Sequence, residues 1–150
     1  MTATTVEPAV RTRPAWVVVS GAVVVAVVVN LAIYATGRAA GATFDFTASS
    51  GPATVTAVTV AGFTAVPLLV GLTLVALLRR RWSWVVPAAL VVAPVLAVAT
   101  ILVMTLPADL DTASTITLAC CHLALIPVVV PALRALRPVD GPTARTVPGQ

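Results

Sequence analysis

Four stretches of the chain, 16–36, 55–78, 82–106 and 115–133, each run for roughly 19 to 25 residues without a single Asp, Glu, Lys or Arg. At ~1.5 Å rise per residue, a helix of that length covers the ~30 Å hydrocarbon core of a bilayer. No other feature of the sequence narrows the possible folds so far, because within hydrocarbon every backbone N–H and C=O must find its partner inside the protein. Helices meet that demand segment by segment. The expectation is an all-α fold, an integral membrane four-helix bundle over 14–137. It is flanked by tails at 1–13 and 138–150, rich in Thr, Pro and small residues and expected to be disordered.

The composition agrees, with 59% hydrophobic residues and only 9% charged, well outside the usual range of soluble domains. Val, Ala and Leu carry the apolar content, which suits helices that approach closely in lipid. A net charge of +4 would suggest a nucleic-acid partner if the arginines formed one exposed patch. They fall instead in short clusters between apolar runs, as topology signals do, and no nucleic-acid partner is expected. Arg11 and Arg13 precede the first run, Arg79, Arg80 and Arg81 separate the second from the third, and Arg134, Arg137 and Arg145 follow the fourth. Eight of nine arginines therefore share one side, and both termini are expected in the cytoplasm. Trp16, Trp82 and Trp84 fall at the inner interface and Tyr34 at the outer one. All nine basic residues are Arg, which points to a GC-rich bacterial genome and a multi-pass protein of the bacterial inner (cytoplasmic) membrane. The first run exceeds the ~7–15 residues of a signal-peptide core, so it is expected to stay as the first span.

The link between the second and third runs is little more than 79–81, which predicts an antiparallel helical hairpin. On the other side, 37–54 is the longest loop and carries Phe44, Asp45 and Phe46, while 107–114 is short and acidic. In lipid, small residues four apart mark where helices touch. Ala22, Ala26 and Asn30 form one such stripe, Ala57, Ala61 and Ala65 a second, and Ala89, Ala93 and Ala97 a third. Pro67, Pro94, Pro127 and Pro131 lie inside the runs, where each removes a backbone donor; they are expected to be tolerated as kinks.

Asn30, Thr100 and His122 each lie seven or eight residues inside the outer end of their runs, about 10 to 12 Å deep, so they are predicted to share a layer. An imidazole facing lipid leaves its polar atoms unpaired, so His122 is expected to face the bundle and hydrogen-bond there, with Asn30 and Thr100 as candidates. As plain interhelical glue such bonds contribute about 0.6 to 2 kcal/mol. The functional alternative is a ligand or proton path, because ionisable groups inside a membrane often mark one. In that case Asn30, Thr100 and His122 line a site and Arg38 stands at its mouth. One His has no second His to share a metal, and Cys120, Cys121 and His122 point about 100° apart on a helix. No metal or other cofactor is expected, and the two Cys residues read as small apolar side chains.

The segments NLAIYATGRAAGATF (30–44) and HLALIPVVVPALRALRP (122–138) resemble an uncharacterised family of small four-span actinobacterial membrane proteins. The resemblance implies the same topology and no assigned activity. Its marked positions correspond here to Asn30, Gly37, Arg38 and His122.

The sequence has no Gly-rich phosphate loop, no hydrolase-type nucleophile motif and no carboxylate pair within the apolar runs. A non-enzymatic scaffold or accessory subunit is therefore expected, in contact with the lipid bilayer and with a membrane protein partner or further copies of itself. The alternative is a bundle that binds or transports a small molecule or lipid at a polar intramembrane site around His122. Membrane-embedded acids of the kind used for proton coupling are missing from the four runs, which argues against drug and proton antiport.

Overall fold

The computed structural model describes residues 13–137, so the expected tails at 1–13 and 138–150 lie outside the described residues, Arg13 excepted. In each apolar run the backbone closes its own hydrogen bonds. The helices are α1 (Ala15–Ala39), α2 (Ala57–Leu78), α3 (Val85–Thr100), which continues as a π-helical turn at Ile101–Thr105, and α4 (Thr112–Ala135). Their ends fall within three residues of the expected spans. With α3 and its π turn taken together, all four are long and apolar enough to cross a membrane, which places the start of α1 and the end of α4 on the same side. Pro67, Pro94, Pro127 and Pro131 all sit inside unbroken helices.

Local chemistry sets the helix ends. The Thr56 hydroxyl accepts the Thr59 N–H at 3.2 Å to start α2, and the Asp111 carboxylate accepts the Ser114 N–H at 2.9 Å to start α4. α1 stops at Gly41, whose φ of +94° lets the Ala42 N–H return to the Gly37 carbonyl at 3.0 Å.

α1 lies between α2 and α4, and α3 packs on α4. The sequential neighbours α2 and α3 touch only sparsely, so the short link at 79–81 does not produce a tightly paired helical hairpin. The reason is that each of the two has a better partner. α1 buries Val19, Ala22, Ala26, Asn30 and Gly37, the face that the small-residue stripe foretells. α3 buries Ala97, with Ala89 and Ala93 half-buried beside it. On α2 the expected stripe is displaced: Val60, Thr64 and Leu72 are buried, while Ala57 is exposed and Ala61 and Ala65 are half-buried. The hydroxyl of Thr64, on that buried line, accepts from Asn30 of α1. The apolar core gathers toward the arginine-rich end, around Val19, Ala22, Leu72, Val129, Ala132 and Leu133.

At the opposite end the expected loop 37–54 is ordered into an antiparallel hairpin of β1 (Asp45–Ala48) and β2 (Gly51–Thr54), which pairs Asp45 with Thr54 and Ala48 with Gly51. The fold is thus the expected all-helical bundle with one small hairpin added. Gly51 turns the chain at φ +114° after the Ser49–Ser50 tip. Pro52 is compatible with β2 because both strands of a two-stranded sheet are edges.

α1 and α4 approach closely at Gly37, where an added Cβ would stand 2.6 Å from Thr117 Cγ2 and nearer still to its hydroxyl. The missing side chain is what lets α1 and α4 meet there. Gly37→Ala is expected to cost about 1–3 kcal/mol through overpacking, and Thr117→Ala on that background to recover most of it, measured by unfolding in mild detergent. Equal losses in the single and double variants would show that this contact does not set the helix spacing.

Candidate functional site

Two polar regions stand out, one inside the membrane-spanning part and one at the hairpin end. Within the bundle, Asn30 is only 3% exposed and donates from Nδ2 to Thr64 Oγ1 at 2.9 Å. The Cys121 thiol approaches the Asn30 backbone carbonyl at 3.7 Å. The buried Oδ1 of Asn30 has no hydrogen-bond partner among the described residues. A single interhelical bond of this kind contributes about 0.6 to 1.7 kcal/mol, and an unpaired buried acceptor offsets it by a comparable amount.

The layer therefore exists at Asn30 but has other members than the sequence suggests. Thr100 donates to the Leu96 carbonyl of its own helix at 2.7 Å. His122 is half-buried, with no hydrogen bond among the described residues, so the expected bond to Asn30 or Thr100 is not formed. The cause is rotation. α4 turns Ser114, Thr117 and Cys121 into the bundle, a line at helical spacing, and His122 lies about 100° further round. Cys120 is exposed, Cys121 is buried and both are free thiols. Among the described residues, no group of three His, Cys, Asp or Glu side chains converges as metal ligands would.

The second region lies in what the sequence presents as two loops, 37–54 and 107–114. Asp111 caps α4 and also accepts from the Thr43 hydroxyl at 2.8 Å and the Thr43 N–H at 3.2 Å. The Ser114 hydroxyl donates to the same carboxylate and accepts the Phe44 N–H at 2.8 Å. Asp109 accepts from the Thr47 N–H at 2.8 Å and from its hydroxyl at 2.6 Å. Arg38 donates to the Thr43 carbonyl at 3.0 Å, and the Tyr34 hydroxyl to the Val55 carbonyl at 3.1 Å. These bonds latch the hairpin and its flanking residues to the end of α1 and the start of α4. At their centre Phe44 is fully buried, its ring 4.6 Å from that of Tyr34, with φ at +63°. A bulky residue there is strained by about 1–3 kcal/mol, and bonds to both its N–H and its carbonyl hold it in place. The alternation Phe44, Asp45, Phe46, Thr47 before Ser49, Ser50 and Gly51 is the signal that could have disclosed the hairpin.

The signature of DUF6069, a family of unknown function, matches residues 10–138. The chain belongs to this family. No curated protein and no solved structure matches it. The positions singled out by resemblance have separable structural roles. Asn30 makes the buried polar pair, Gly37 allows the close crossing, and Arg38 closes the loop after α1, while His122 stands half-buried beside Cys121.

The latch also carries a pH signature. The Ser114 hydroxyl and N–H, with Thr43 adding to them, hold the Asp111 carboxyl well below the usual carboxylate range, and the Thr47 hydroxyl lowers Asp109. Both groups titrate below 3.8 when folded, so their contribution is complete above that unfolded value and disappears as pH falls through the lowered values. Amide exchange at Thr43, Phe44 and Thr47 is expected to show constant protection between neutral pH and about 5, with loss only in strong acid. Asp111→Asn is expected to lose part of that protection at neutral pH already. Protection unchanged in both tests would show that the carboxylates do not hold the hairpin.

Proposed function

We propose that the protein is a non-enzymatic scaffold or accessory subunit of a bacterial inner membrane, and that the latched hairpin is its contact surface for a membrane protein partner or a second copy. The observation that carries this reading is the fate of the acids. All three carboxylates among the described residues, Asp45, Asp109 and Asp111, are engaged by Thr or Ser groups that fix the hairpin. Acid–base catalysis needs such groups free to reach a substrate, whereas a binding surface gains from having them hold a loop in one shape. The exposed residues Thr47, Ser49, Ser50, Pro52 and Thr54 give the hairpin a small polar surface. The arginine distribution supports an outward-facing hairpin and cytoplasmic ends, and the all-Arg basic complement supports an actinobacterial source.

A photo-crosslinking residue at Ser49 or Ser50 is expected to give one discrete adduct in native membranes, with lower yield in Asp109→Ala. The adduct mass separates a different protein from a second copy. Failure to form any adduct from both hairpin positions would overturn the proposal.

The unpaired Oδ1 of Asn30 supports a second reading, in which a small ligand with a hydrogen-bond donor is held near Asn30 and His122, with Thr100 and Arg38 toward the outer end. It expects native mass spectrometry to find a non-lipid adduct on the wild-type protein that Asn30→Ala and His122→Ala both lose. A bare chain, or an adduct indifferent to both substitutions, would exclude it.

A further inference from the structure

At the arginine-rich end, two apolar grooves flank the first half of α1. The larger, about 450 Å³, runs between α1 and α4 past Val17, Gly21 and Val25 on one side and Pro127 and Pro131 on the other, with Arg13 at its end. Gly21 opens its floor, since an added Cβ there meets no atom within 4 Å. The two proline rings, four residues apart, form the facing wall. From Val17 to Val25 the groove descends about 12 Å, close to half of a ~30 Å hydrocarbon core. It therefore has the depth of one leaflet. A second groove of about 380 Å³ between α1 and α2 repeats the pattern, with Trp16, Leu69 and Leu77 along it and Arg80 at its end.

Charge selects among the occupants. Arg13, Arg79, Arg80, Arg81, Arg134 and Arg137 all belong to this end, and among the described residues the acids Asp45, Asp109 and Asp111 all belong to the other. Arg79 is already engaged, donating from Nη1 to the Leu136 carbonyl just beyond α4. A groove that is apolar along its length and cationic at its interfacial end matches one kind of molecule, an acyl chain carrying an anionic headgroup. Neutral lipid would gain little there, because hydrocarbon already surrounds the helices. The distinguishing attraction comes from the headgroup.

We propose that the groove between α1 and α4 binds an anionic phospholipid, with one acyl chain along Gly21, Pro127 and Pro131 and the headgroup phosphate at Arg13. The site is at the opposite end of the molecule from the hairpin, and its test is independent of any protein partner.

Native mass spectrometry of the full chain in mild detergent, titrated with phosphatidylglycerol or with phosphatidylcholine of the same acyl chains, tests this directly. Phosphatidylglycerol is expected to be retained preferentially, and Arg13→Ala to weaken it about five-fold, the effect of one basic residue near an anionic headgroup. Gly21→Phe, which fills the groove but leaves Arg13, is expected to remove one bound lipid. Val25→Phe blocks the same path and serves if Gly21→Phe does not give a monodisperse helical protein. Val103→Phe, on the exposed surface of the π turn, is expected to bind like the wild type. Equal retention of the two lipids would overturn the proposal, as would phosphatidylglycerol binding that survives Arg13→Ala and both groove-filling variants. Loss of a dimer without loss of lipid in the filled variants would assign the groove to a second copy and overturn it equally.

Discussion

Helices in a lipid solvent gain little by hiding apolar surface from one another, so their association must come from close backbone approach and from polar groups that lipid cannot satisfy. α1 supplies both on a single face. Ala22 and Ala26 bring its backbone near its neighbours, Gly37 lets α4 come closer still at Thr117, and Asn30 reaches Thr64 on α2 and Cys121 on α4. The other helices are arranged around that face. α3, which lacks such a face toward α2, packs on α4 instead, and the α2–α3 seam is left loosely joined despite the short link between them. The π turn at the end of α3 fits the same economy. Its wider winding advances each residue by less than an α-helix does and brings Thr105 to a buried position.

The two ends of the bundle are built by different physics. At the hairpin end, carboxylates and hydroxyls lock a strained, fully buried Phe44 and its hairpin onto the start of α4. At the other end Arg79 satisfies a carbonyl just past α4, while Arg13 and Arg80 border apolar grooves. Arg38 apart, the arginines and carboxylates among the described residues are thereby gathered at opposite ends of the bundle. An exposed polar hairpin caps one end, and two apolar grooves run down from the other.

The four spans, their ends within a few residues and the face of α1 were legible because each rests on a strong local rule: length without charge, and small residues at helical spacing. The polar layer was legible only in part. Asn30 continues the small-residue stripe of α1 and is buried with it. Rotation depends on which neighbour is packed where, and a shift of one position exchanged His122 for Cys121 and moved the buried line of α2 from Ala61 to Val60 and Thr64. Thr100 had a local alternative, the carbonyl one turn back, which competes with any partner across the bundle.

The sequence by itself determined that this chain lives in a bilayer, how many times it crosses and on which side its cations gather, because the cost of burying charge and unpaired backbone in hydrocarbon depends on composition and length alone. Only the tertiary structure decided which helices are neighbours, that the long loop is a hairpin and that Asp109 and Asp111 hold it. Those outcomes hang on contacts such as Thr43 with Asp111, 68 residues apart, whose formation depends on helix spacing and rotation. No periodicity in the chain encodes that distance.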